Sequence, residues 1–502
     1  MGARAIHAPQ QKGLSMLSLD SLSPDVVRPD YDRQAVRTRM VHIGFGAFHR
    51  AHQAVCSDRL ASQYGSDWGY CEVNLNSGEL IQALKQQDYC YTVAEMAGDE
   101  MALRVIGVVK EALHGKSDGI DAVIEALAQP DVAIVSMTVT EKGYCYEPSS
   151  GKLDLAHPSI AHDIAHPEAP SSLPGIILAG IVRRRERGLP PFSVMSCDNM
   201  PENGHVTRNV VLGLAEKQSS ELAAWIAGNI TFPSTMVDRI VPAMTDETHA
   251  TLREKLGCDD PVSVACEPFF QWVIEDNFVS GRPAWEKAGA ELVSDVLPFE
   301  EMKLRMLNGS HSFLAYLGNL AGYEHISDCM ADKHFRQASL QLMLDEQAPT
   351  LQTKGVDLQA YANSLIARYE NLAIRHRTAQ IANDGTQKLP QRWLDSIRWH
   401  LKNGGRYDLL ALGVAGWMRY VSGVDEQGQA IEIRDPMREQ LAQRVAETAE
   451  GEERVAALLS LKAVFGEDLA AEPAFVAKVN QFSQLLREKG AKDTVKRVLE
   501  QA

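Results

Sequence analysis

What this sequence lacks already narrows its function. Its eight cysteines, at positions 56, 71, 90, 145, 197, 258, 266 and 329, include no CxxC pair and none of the short spacings used by zinc or thiol-exchange sites. Most lie in apolar runs such as Tyr89-Cys90-Tyr91, which reads as buried free thiols in a reducing compartment. There is no block of consecutive basic residues, and 66 Asp and Glu against 50 Lys and Arg give a formal charge of −16. Nucleic acid and anionic membranes are poor partners for such a surface, because polyphosphate binding needs concentrated positive charge. The first thirty residues contain no apolar core of the signal-peptide kind, and the longest unbroken small-and-apolar run, 409–418, is about half of what a membrane span requires. No repeat recurs at solenoid periods. The expectation is a soluble cytoplasmic protein.

What is present is ordinary globular composition, 45% apolar and 23% charged, which excludes disordered and fibrous chains. A polar, proline-punctuated arm is expected over residues 1–35. It is followed by a strand, Met40-Val41-His42-Ile43, the turn Gly44-Phe45-Gly46-Ala47-Phe48-His49, and a helical pattern from 51 to 60. Further strands are expected at 69–75, 102–109, 132–137 and 191–196, with helices between them, and 147–175 is expected to be a loop. Its histidines, His157, His162 and His166, are irregularly spaced and read as solvated residues rather than metal ligands. From about residue 298 a 3.6-residue apolar period dominates (303–321, 332–345, 357–368, 394–402, 407–421, 436–464, 473–499). The predicted fold class is α/β: a Rossmann-like, mostly parallel sheet in residues 1–296, then a mainly α-helical domain in 297–502.

The glycine turn is GxGxxH. Gly44 permits the tight turn, Gly46 lets backbone approach a pyrophosphate, and His49 stands where the usual third glycine packs helix on strand. Phe45 and Phe48 complete the candidate cofactor turn. At the next strand end Asn76 and Ser77 occupy the contact positions, with Glu79 beyond them, and the choice between NAD and NADP stays open. Ser196-Cys197-Asp198-Asn199 and Thr138-Val139-Thr140-Glu141 each follow a buried strand, at the end where open α/β sheets bind ligands. Lys303-Leu304-Arg305-Met306-Leu307-Asn308-Gly309-Ser310-His311 puts a lysine, an amide and an imidazole into an apolar helix, where each needs a partner or a cavity. On an ideal α-helix Lys303 and His311 lie about 80° apart and Asn308 about 140° round from Lys303, so their tips meet only if the helix begins irregularly. The alternative is a surface lysine beside hydrogen-bonded core groups.

With GFGAFHRAHQA at 44–54, TEKGY at 140–144, SCDN at 196–199, MVDRIVP at 236–242 and KLRMLNGSHS at 303–312, the chain resembles the polyol-specific long-chain dehydrogenase/reductase family over nearly its whole length. EPFFQWVIEDNF, DGTQKLPQR and LLALGVAGWMRYVSGVD, beginning at 267, 384 and 409, point to its hexuronate-reducing members. The resemblance implies metal-independent hydride transfer between NAD(H) and a sugar acid, D-fructuronate and D-mannonate being the expected pair, in a monomer or dimer. It implies Lys303 as general acid/base, Asn199 and Asn308 as holders of the reacting oxygen, His311 as orienting group, and Glu141 as proton relay modulated by Glu300. Thr140 joins the cofactor residues. Asp238, Lys388 and Gln380 are assigned to the substrate. Mannitol-type relatives carry an arginine eight residues before the substrate lysine, and Gln380 stands there instead. Lys388 is therefore the first candidate for a substrate carboxylate, with Arg375, His376 and Arg377 nearby or, alternatively, a basic solvated face.

Overall fold

The computed structural model describes residues 19–148 and 150–501 and divides into two units, residues 1–296 and 297–502. The first is built on a parallel five-stranded sheet. Its strands are β1 (Arg37–Ile43), β2 (Trp68–Asn74), β5 (Val109–His114), β6 (Ile134–Met137) and β7 (Ser193–Ser196), in the order β5-β2-β1-β6-β7. β1, β6 and β7 end in unbroken buried runs, the pattern of strands covered on both faces. Packed around them are the helices Ile120–Leu127, Leu173–Glu186 and Asn203–Gln218, whose Val123, Leu127, Ile177 and Val210 join Val41, Val73 and Val135 in one core. The chain moves outward from β1 first to β2 and later to β6, so the strand order reverses between β1 and β6, the place where open α/β sheets bind ligands at their carboxyl ends.

Two smaller sheets were not expected. β3 (Tyr91–Ala97) pairs antiparallel with β4 (Glu100–Ile106) and parallel with β9 (Val264–Cys266). β10 (Gln271–Glu275) lies between β8 (Thr235–Asp238) and β11 (Glu291–Val293). The single strand expected at 102–109 is therefore two, parted at Gly107. Residues 1–18 of the expected arm lie outside the described residues. The stretch after them is anchored, since Leu19, Leu22 and Val26 are buried against Cys90, Ala94 and Leu103. Within 147–175 the chain forms the helix Pro158–Ala165, capped by His157, whose Nδ1 accepts from Ser159 N; His162 lies on that helix and bonds Asp163.

The second unit is helical. Three of its segments are π-helical, with one extra residue per hydrogen-bonded turn: Lys303–Asn308, Leu342–Gln347 and Pro390–Leu394. Gln347 ties them together. Its Nε2 donates to Arg392 O at 2.7 Å, its Oε1 accepts from Ser396 at 2.5 Å, and a side chain at Gly309 would press on it. The central helix Asp408–Val421, among whose residues Leu409 to Met418 are all buried, is a core element. No helix among the described residues is long and apolar enough to cross a membrane.

Candidate active site

In the first unit, Gly44 has φ +104° and a Cβ there would overlap the Thr138 carbonyl, so only glycine lets β1 turn against the end of β6. Gly46 is exposed, has φ −87°, and would point a Cβ into open space. This is the shape a pyrophosphate cradle requires: backbone at the surface with nothing above it. Asn74 fixes the turn by accepting from Phe45 N at 2.8 Å. Phe48 is partly buried and stacks on His52, and Asn76 is exposed, its carbonyl facing His114 Nε2 at 3.2 Å.

Two residues of the expected cofactor turn are buried. His49 and the side chain of Phe45 have no exposed surface. His49 instead lies in a buried polar chain: Nε2 is 2.7 Å from Glu72, Nδ1 is 2.9 Å from Gln53, and its ring stacks 3.4 Å from that of His42. His42 in turn bonds Ser136 and Thr138. Burial raises the pKa of Glu72, which the His49 contact opposes, and burial pushes His42 well below the ordinary imidazole range. The third position of the turn thus packs helix on strand, as the glycine would, by filling the space with an imidazole and satisfying it.

The loops after β6 and β7 are joined by Asp198. Its carboxylate accepts from Val139 N at 3.1 Å, Thr140 N at 2.9 Å and the Tyr144 hydroxyl at 2.5 Å. It holds Thr140 at φ +67° and ψ +164°, a conformation almost confined to glycine and costly for a β-branched residue. Glu141 follows at once and is exposed, as is Asn199 beside Asp198. Asp238 is buried at the end of β8. Asp198 was given no part in the site from sequence although it stands inside the quoted SCDN motif; the signal for its loop-joining place was a carboxylate directly after a buried strand.

In the second unit, the π-helical segment changes the phase of the lysine helix. Because such a turn bonds residues five apart, Lys303 and Asn308 are its two ends and share a face, rather than lying far round from each other as in an α-helix. Lys303 is partly buried. Tyr369 holds the far end of this segment, donating to Leu307 O at 2.9 Å and meeting Ser310 Oγ at 2.8 Å. The Tyr369 ring stacks on His311, whose Nε2 is 3.4 Å from His376 Nδ1. Burial, followed by the neighbouring His376, Arg392, Arg368 and Lys388, pushes the His311 pKa well below the ordinary range, so the ring is neutral near pH 7.

Lys388 is half-buried, its Nζ donating to Ile381 O at 3.2 Å, and burial and then Arg392 lower its pKa. Gln380 is exposed, as are Arg375 and Arg377. Arg375 lies off any helix and Arg377 takes the position before Thr378–Ile381, so the two are solvated without sharing a helical face. Of that trio, His376 packs against His311. Glu300 is partly buried in the helix Leu297–Met302, one turn before Lys303. Arg392 and Arg368 were not assigned roles from sequence, although Arg392 stands inside the quoted DGTQKLPQR.

Comparison with known proteins places these residues in context. The mannitol dehydrogenase Rossmann domain matches residues 38–287 and the mannitol dehydrogenase C-terminal domain matches 295–486. D-Mannonate oxidoreductase of Escherichia coli is 55% identical over 481 residues, covering 95% of this chain and 99% of that protein. The uncharacterized oxidoreductase YdfI of the same organism is 60% identical over 475 residues, 94% of this chain and 98% of its own. The solved Pseudomonas fluorescens mannitol 2-dehydrogenase, a ternary complex with NAD and D-mannitol, is 39% identical with a TM-score of 0.81, covering 98% of this chain and 100% of that one.

Proposed function

Since the chain belongs to the mannitol dehydrogenase family, we propose that it interconverts D-fructuronate and D-mannonate with NAD(H), at the C5 keto position and with a lysine in place of a metal as acid and base. When bound, the coenzyme supplies or accepts the hydride. Gly44 and Gly46 would hold its pyrophosphate, with Phe48, Asn76 and Thr140 bordering it. Lys303 gives a proton to the carbonyl oxygen in reduction and takes it from the alcohol in oxidation. Asn308 and Asn199 donate to that oxygen as negative charge develops. His311, kept neutral by burial and its cationic neighbours, orients the adjacent hydroxyl. Asp238 is assigned to sugar hydroxyls and Glu141 to exchange of the proton with solvent.

The observation that carries this reading is the π-helical turn from Lys303 to Asn308, which gives the acid and an oxyanion donor one face. The likeness to D-mannonate oxidoreductase supports the choice of sugar acid. The test is oxidation of NADH and of NADPH with fructuronate, tagaturonate and fructose. Fructuronate with NADH is expected to give the highest kcat/KM, and a preference for tagaturonate or fructose would replace the substrate named here. Lys303→Ala is expected to lower kcat by about a thousandfold while leaving NADH affinity unchanged; turnover within a few-fold of the parent would remove the lysine from the chemistry.

A further inference from the structure

The helical unit holds cations beside His311, Arg392 and Lys388 among them, to which the chemistry above gives no contact with the substrate. Arg392 sits in the π-helical segment Pro390–Leu394, and its Nη1 donates to Ser312 Oγ at 2.8 Å and to Asn308 O at 3.4 Å. Those two acceptors flank His311 along the chain, so the guanidinium is fixed beside the same helical turns that carry Asn308 and His311. Part of Arg392 reaches the surface, yet its guanidinium is desolvated enough that burial lowers its pKa to about 10. Among the described residues neither Arg392 nor Lys388 forms an ion pair with a carboxylate. The acidic groups that bear on Lys388 are Asp384 and Asp435, and Asp435 is already occupied by Thr386, through its backbone N at 3.0 Å and its hydroxyl at 2.5 Å.

A desolvated cation without a counter-ion is costly, and here Arg392 and Lys388 stand together, neither of them paired with a carboxylate, in a chain whose net charge is −16. Such an arrangement is stabilised when an anion enters it. Arginine adds geometry to charge: with Nη1 held by Ser312, the planar fork keeps a fixed orientation toward a second, planar partner. Position 380 offers no such group, because Gln380 is neutral and exposed.

We propose that Arg392, with Lys388 as its neighbour, receives the carboxylate of an acidic sugar and is the residue that makes this protein choose sugar acids over neutral ketoses. The inference rests on the reading of the substrate as a sugar acid and assigns its recognition to a site that the glutamine at 380 leaves open. Ser312 and the Asn308 carbonyl hold the guanidinium in place, so the acid end of the substrate is registered against the same helix that carries Asn308 and His311.

The experiment compares KM for D-fructuronate and for D-fructose in the parent, Arg392→Gln and Arg392→Lys, with NADH affinity followed by fluorescence quenching as a check on folding. Arg392→Gln is expected to raise KM for fructuronate by about tenfold or more, the loss of one charge-assisted pair, while KM for fructose changes less than about threefold and NADH affinity is kept. Arg392→Lys keeps the charge without the fork and is expected to give an intermediate ratio of the two KM values. It also serves as the decisive variant should Arg392→Gln lose NADH binding. A ratio unchanged in the folded variants, or KM values that rise together, would overturn the assignment of Arg392 while leaving the sugar-acid reading intact. A parent enzyme that prefers fructose would overturn both.

Discussion

Gly44 and Gly46 stand two residues apart in one turn and are glycine for opposite reasons. At Gly44 the backbone demands it, since φ is +104° and a side chain would strike Thr138. At Gly46 the backbone tolerates any residue, and in the proposed cofactor site it is the space outside the protein that has to stay clear. Gly44→Ala is therefore expected to cost roughly 2–4 kcal/mol of stability. Gly46→Val is expected to keep stability within about 1 kcal/mol and weaken NADH binding by at least about tenfold. His49→Ala leaves the Glu72 carboxylate buried without its partner and is expected to cost about 3–5 kcal/mol. Denaturant midpoints and NADH titrations on the three variants separate these cases; a Gly46→Val protein that binds NADH normally would remove the turn from the cofactor site. The glycine spacing was legible in the sequence because it is local. The burial of His49 was not, because its partner Glu72 lies 23 residues further on, in a neighbouring strand where Cys71-Glu72-Val73 carries no sign of a buried pair.

Helices were legible where an apolar period ran long enough to count, and lost where it did not. The stretch 436–464 breaks into Arg438–Ala446, Glu452–Leu459 and Lys462–Phe465, and the last long helix bends at Gly490, which has φ +80°. Strands β8 to β11, of three to five residues, are too short for an alternating pattern to stand out. The π-helical turns left no mark at all, because one inserted residue shifts the face of a helix without changing its composition. One of them has a measurable consequence. Glu346, in Leu342–Gln347, is buried and accepts from Leu409 N and Leu410 N, both at 2.9 Å, at the start of Asp408–Val421. Burial raises its pKa from 4.5 to about 8. Between those values the folded state holds a proton that the unfolded state has released, so stability falls as pH rises from about 4.5 to about 8 and is level above. Glu346→Gln removes that slope. The parent is expected to lose roughly 3–5 kcal/mol more than the variant between pH 5 and pH 8. Denaturant midpoints for both proteins across this range check it, and parallel curves would mean that the carboxyl is ionised throughout.

At the scale of the whole molecule the dominant fact is charge. With the acidic sugar proposed above as substrate, a protein of net −16 sets two fields against each other, a long-range repulsion from the whole surface and a short-range attraction from a few desolvated cations. Distance decides which of them salt removes. At about 10 mM salt the screening length is about 30 Å, so an approaching anion feels the whole surface; at about 150 mM it is about 8 Å, and only the partners near it matter. Contacts with a partly buried guanidinium such as Arg392 are screened much less. Raising salt between these limits, with NADH saturating, is therefore expected to increase kcat/KM for fructuronate and to leave that for neutral fructose nearly level. A steep fall for fructuronate would mean that the cations draw the substrate in from long range, and that the acidic surface lies too far from its path to oppose it.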